Sequence, residues 1–140
     1  MSGFSTRHGI HDEAKRKQIA NVIKQVETDG IRTVRLGFAD QHGVVRGKSF
    51  AADQIESLFE DGMTAPSSLL LKDLAHRTVL PVWNGESTGL AGMAGIGDIL
   101  LIPDPDRFHI LPWLRDTAWI QADIFPVSYT HLTLPTIRSV

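Results

Sequence analysis

From Asp12 to Thr28 the large apolar residues are Ile19, Val22, Ile23 and Val26, at the i, i+3, i+4, i+7 spacing of one helical face. Asp12 stands where an N-cap is needed and Gly30 where a helix ends. The pattern then changes period. In IRTVRLGFAD, Val34, Leu36 and Phe38 fall on one face and Arg35 and Gly37 on the other, as in a strand. VVRGKSF resumes a strand after DQHG, predicting a β-hairpin whose loop runs from Asp40 to Gly43. AADQIESLFEDG returns to helical period: Ile55, Leu58 and Phe59 form the buried stripe, Asp53 and Glu56 stand as a capping box, and Gly62 ends the helix.

From Met63 to Gly97 no period is visible. This stretch is long and glycine-rich, yet Leu69, Leu70, Leu71, Leu74, Leu80 and Trp83 predict a loop that packs against something. DILLIPDPDRF reads as a short buried strand ending in a proline-rich turn. After ILPW, TAWIQADIF alternates Ile120, Ala122 and Ile124 with Trp119, Gln121 and Asp123. Residues 1–11 carry no pattern and predict a disordered tail. Helix, strand, strand, helix, long loop, strand, strand is the order of an α+β fold, a small sheet with a helix packed across it.

Composition changes little in this picture. The chain has 140 residues, 42% apolar and 21% charged, enough for one domain with its own core. It contains no cysteine, which removes disulfides and thiolate metal sites. The polar N-terminus lacks a secretory leader's apolar stretch and no run suits a membrane helix, so the cytoplasm is the expected compartment, with no membrane partner. A formal net charge of -2 gives no electrostatic case for nucleic acid.

Candidate chemistry is sparse. Arg46 and Lys48 share a strand face with Gly47 between them, which suits a phosphate, but also a solvated face or a contact between subunits. His8, His11, His42, His76 and His109 are scattered, with no second ligand at i, i+4 and no E-x-E triplet, so structural or solvent roles are expected for each. Asp104 and Asp106 beside prolines read as turn formers. Asp98, at the mouth of the long loop, is a carboxylate able to meet a bound cation, or simply a strand-start residue. The loop's Ser67, Ser68 and Asp73 line either a core edge or the wall of a binding site. No serine has the base and orienting acid of a nucleophile.

The strings VRLGFADQHGVVRGKSF, FEDGMTAPSS, GDILLIPDPDRFHILPW and AWIQADIF, in order from Val34 to Phe125, resemble the N-terminal β-grasp domain of the glutamine synthetase family, including its γ-glutamyl-amine ligases. The resemblance implies an ATP- and Mg²⁺- or Mn²⁺-dependent ligase that activates glutamate as γ-glutamyl phosphate and couples it to ammonia, a primary amine or a polyamine. It also implies a homo-oligomeric ring in which this domain completes the neighbouring subunit's site. The nucleotide, metal and glutamate groups would lie in a larger C-terminal domain, so this chain by itself is expected to bind no cofactor and to be inactive. The positions carried over are the segment Ala65–Ser68 and Asp98. Where ammonia-using members have FDGSS this chain has TAPSS, so Ala65 replaces an aspartate. That departure points to a larger amine, with Ser68, Asp98 and Asp73 as the expected contacts in the amine pocket of the adjacent subunit.

The last stretch breaks the family pattern. VSYTHLTLPT, from Val127 to Thr136, looks like translated sequencing-adapter read-through, so 127–140 is expected to be a non-native tail. The expected division is therefore a tail (1–11), a helix (12–30), a β-grasp domain (31–126) and that tail. The alternative is a stand-alone β-grasp binding module without catalysis.

Overall fold

The two alternating stretches form neighbouring strands at the heart of one sheet. In the computed structural model, which describes residues 3–79 and 97–126, β1 (Thr33–Ala39) and β5 (Thr117–Pro126) run parallel, with Leu36 opposite Ile120. The other strands are β2 (Val45–Ala51), β3 (Met63–Pro66) and β4 (Asp98–Ile110). The five-stranded order is β2-β1-β5-β4-β3, and every pair other than β1–β5 is antiparallel. The helices are α1 (Phe4–Arg7), α2 (Glu13–Thr28) and α3 (Ile55–Asp61). The fold class is α+β, as expected. The expectations for Leu80, Trp83 and the tail from Val127 fall outside the described residues.

Strand alternation builds the core. Val34, Leu36 and Phe38 of β1, Ala118, Ile120 and Ala122 of β5, and Ile99 and Leu101 of β4 are buried against Val22 and Val26 of α2 and Ile55, Leu58 and Phe59 of α3. Full burial of each large side chain is worth about 1.5–3 kcal/mol. The intervening β4 residues point to the other face. There Leu100 and Ile102, with Phe125, form a second cluster under Phe4 and Ile10 of the N-terminal segment.

Asp12 caps α2 as expected, its Oδ1 accepting the Lys15 N–H at 2.8 Å. Four expectations change. The capping box does not form: Asp53 lies in a 3₁₀ turn over Ala52–Gln54, and Gln54, whose side chain makes no capping bond, is the N-cap of α3. The proline-rich turn is a continuation of β4. Pro103 and Pro105 are fully buried within it, and the register shifts between Pro103 and Phe108, an irregularity that suits residues with no N–H to give to the ladder. Asp104 there meets Lys15 of α2 at 3.1 Å. The segment after Met63 is not wholly irregular, since it opens with β3 and a 3₁₀ turn over Ser67–Leu71. Four residues ending in proline are too few to show a period. Finally, in its described part the N-terminal tail is ordered: it contains α1, and Ser5 and His11 are buried.

Gly37 and Trp119 explain one close approach on the outer face. A Cβ at position 37 would fall within the Trp119 ring, so only glycine lets the indole lie across β1. Trp113, in contrast, is 78% exposed. Among the described residues no helix is long and apolar enough to cross a membrane.

Candidate functional site

Strand directions bring the candidate residues to one end of the sheet. β1 ends at Ala39 and β5, parallel to it, ends at Pro126; β2 and β4 start there at Val45 and Asp98, and β3 ends there at Pro66. Pro66 pairs with Asp98 across the β3–β4 ladder. The next residue outward is locked as well: the Ser67 N–H donates to the Gly97 carbonyl at 2.8 Å, and the Gly97 N–H donates to Ser67 Oγ at 3.3 Å. Ser67 is buried, Ser68 half-buried and Asp98 exposed. Asp98 has no ion-pair partner among the described residues. Ser68 and Asp98 are thus presented from two chain segments clamped to each other, and Asp98 offers a carboxylate to whatever approaches that end.

Ala65 differs from its neighbours. It is 8% exposed and belongs to the core cluster, so its methyl group faces the hydrophobic interior. A carboxylate there would lose hydration with no cation beside it.

Asp73 belongs to a second, separate arrangement. Its Oδ1 accepts the Ala75 and Arg77 N–H groups at 2.9 Å each, and its Oδ2 accepts Arg77 Nε at 2.9 Å. The Arg77 N–H above all, with the Arg77 guanidinium and the Ala75 N–H, holds its carboxyl below the ordinary range against the opposing effect of burial. This turn docks on the β1–β2 hairpin, where Gln41 Nε2 and His42 Nε2 both reach the Lys72 carbonyl, at 2.8 and 2.9 Å. Arg46 extends the docking towards His76 Nδ1, at 3.5 Å, and His76 is the one non-glycine residue described with positive φ, 61°.

Arg46 is therefore not part of a solvated strand face. Its Nε donates to Asp40 Oδ2 at 2.8 Å, while Lys48 stays exposed. His8 and His109 are exposed, and His11 is buried far from these turns against α3. No group of three or more His, Asp or Glu among the described residues could hold a metal ion.

The node of Asp40, Gln41, His42 and Lys72 was not visible as such in the sequence. DQHG announced a turn, but Asp40 was not paired with Arg46 from the sequence; an aspartate opening a hairpin loop six residues before an arginine is the signal that could have found that pair.

Comparison with known proteins fits this geometry into a family. No family model matches the chain. A γ-glutamylanilide synthase of an Acinetobacter species is 26% identical over 125 residues, 86% of this chain and 25% of its own length. A glutamate–isopropylamine ligase of a Pseudomonas species is 35% identical over 113 residues, 80% of this chain and 24% of its own. A glutamine synthetase of Halobacterium salinarum is 31% identical over 94 residues. The solved structure of ligand-free GmaS superposes on 76% of this chain and 21% of its own, with a TM-score of 0.55 and 25% identity. The chain belongs to the glutamine synthetase family. It spans about a quarter of the length of the two amine-ligase relatives it matches.

Proposed function

We propose that this chain is the β-grasp portion of an ATP- and Mg²⁺- or Mn²⁺-dependent glutamate–amine ligase, acting in the cytoplasm as part of a homo-oligomeric ring. Its role there is to supply one wall of the amine pocket of the neighbouring subunit. The observation that carries this reading is the clamp of Ser67 to Gly97, which presents Ser68 and Asp98 together at one sheet end. Asp98 meets the amine as its ammonium form, and Ser68 flanks it. Asp73 serves this pocket indirectly: its carboxylate is already occupied by Arg77 and shapes the turn beside the site.

The substrate class follows from position 65. Where the resemblance associates an aspartate with ammonia, this chain has Ala65, whose methyl group is turned into the core, so position 65 offers no charge to the amine, which favours a substituted amine. Two of the matched relatives are named for an anilide and for isopropylamine.

The test uses the complete ligase, assayed with ammonia and with isopropylamine. Asp98→Asn is expected to raise KM for the amine by about 10- to 100-fold, the weight of one hydrogen bond to a charged group. An unchanged amine KM, or ammonia used as efficiently as the larger amine, would overturn the reading.

A further inference from the structure

Among the described histidines only His11 is buried, at 7% exposure. Its ring stands edge-on to Phe59, centroids 6.4 Å apart, and its Nε2–H donates to the Phe59 carbonyl at 3.4 Å. The same carbonyl accepts Ser5 Oγ at 2.8 Å, and the adjoining Glu60 carboxylate accepts the Gly3 N–H at 2.8 Å. Segment 3–12 is held to the last turns of α3 through these bonds. With the proton on Nε2, Nδ1 is a buried lone pair, and it has no hydrogen-bond partner among the described residues.

That segment covers something. Phe4 and Ile10 lie on Leu100, Ile102 and Phe125. Leu100 and Phe125 are cross-strand partners, close to the sheet end that carries Asp98.

We propose that residues 3–12 form a proton-released strap, closed while His11 is neutral and opened when its ring takes a second proton, uncovering Leu100, Ile102 and Phe125. Protonation would create an N–H at Nδ1 with no acceptor among the described residues and put a charge on a residue that is only 7% exposed. Nearby charges do not compensate. Asp104 of β4 already pairs with Lys15 of α2, and Glu60 of α3 is engaged by Thr6 and Gly3. Arg16 of α2 and Glu56 line the same cleft of about 420 Å³, on which His11 borders. Burial above all, helped by Lys15, lowers the His11 pKa from 6.5, against the Phe59 carbonyl, Asp104 and Glu60, which raise it.

The open state therefore holds this proton more tightly than the closed one. Strap stability is complete above the free imidazole value and declines as pH falls below it, down to the closed-state value. Glu60, whose pKa is lowered chiefly by the Thr6 hydrogen bond, stays charged through that window and is not the trigger.

Amide hydrogen exchange on this chain tests the strap. The reporters are the N–H groups of Arg7, His8 and Ile10, bonded to the carbonyls of Gly3, Phe4 and Ser5 at 3.1, 3.1 and 3.0 Å. Between about pH 7.5 and about pH 5.5 their protection factors are expected to fall, by at most about tenfold, the ratio of charged to neutral free imidazole at the lower pH. Leu36 and Ile120 in the core should hold theirs. His11→Gln keeps a donor for the Phe59 carbonyl and removes the titration, so strap protection becomes independent of pH. Protection that ignores pH in the unaltered chain, or that falls equally in the variant, overturns the proposal. Should the variant not fold, the His11 ring resonances of the unaltered chain decide: titration below 6.5 together with strap opening supports the proposal, and titration at or above 6.5 overturns it.

Discussion

Asp40 and Arg46 meet at 2.8 Å across the base of the β1–β2 hairpin, with the Asp40 side chain 1% exposed. The same carboxylate accepts the His42 and Val44 N–H groups at 2.9 and 3.0 Å, so it shapes the loop as well as pairing the arginine. Burial by itself would raise the Asp40 carboxyl, but the bonds from Arg46, His42 and Val44 prevail and hold it below its ordinary value.

This fixes the sign of a pH effect. A depressed carboxylate stabilises the fold above its unfolded pKa, 3.8 here, and the contribution is lost as pH falls through the folded value. Asp40→Ala is expected to lower the urea midpoint at neutral pH and to speed proteolysis in the hairpin loop and the docked turn around Asp73. The gap from the unaltered chain should narrow in acid. An equal gap at both pH values would show that the charge on Asp40 contributes nothing.

Gly37→Ala should destabilise the chain by about 1–3 kcal/mol, because the new methyl group must displace the Trp119 indole. The penalty should shrink when Trp119→Ala is added, since the two residues are in contact and their effects are not additive. Denaturation of the two single variants and the double variant measures this coupling.

Asp12→Ala removes the acceptor for the Lys15 N–H and should lower stability by about 1 kcal/mol. Asp53→Ala, at the capping position that the sequence suggested for α3, should change little, because the side chain makes no cap there. Thermal melts of the two variants side by side distinguish a true cap from an apparent one.

Ala65→Asp should cost at least ~2 kcal/mol at neutral pH, since it buries an unpaired carboxylate in the core cluster. Burial raises that new group's pKa, so the sign is opposite to that of Asp40. The variant should be most nearly normal below the unfolded aspartate pKa and weaken as pH rises. A loss independent of pH would mean that the side chain turns out to solvent.

What could be read in the sequence was what repeats. Ile19, Val22 and Val26, and the alternations through Leu36 and Ile120, mark helix and strands by their spacing, and the structure has them where the spacing put them. What could not be read depends on contacts between distant residues. Pro103 and Pro105 look like a turn locally, yet β5 on one side holds them within a strand. His11 looks like a tail residue until Phe59, far along the chain, covers it. At the candidate site, Asp98 stood out as a carboxylate at a loop mouth, whereas the clamp between Ser67 and Gly97 needed the β3–β4 pairing to appear.

The position of β5 has a consequence for how the chain comes to be folded. Among the described strands it comes last in sequence and lies between β1 and β4 in space. As the protein is synthesised, β1 and β2 can zip together early, and β3 can pair with β4, but the sheet has no ladder between the two pairs until Thr117–Pro126 emerges. Until then β1 and β4 each present an unpaired apolar edge, the form most open to wrong pairing with another chain. The ribosome thus delivers the central strand after both of its neighbours, and a chain stalled before Thr117 would be left with two strand pairs not joined into one sheet.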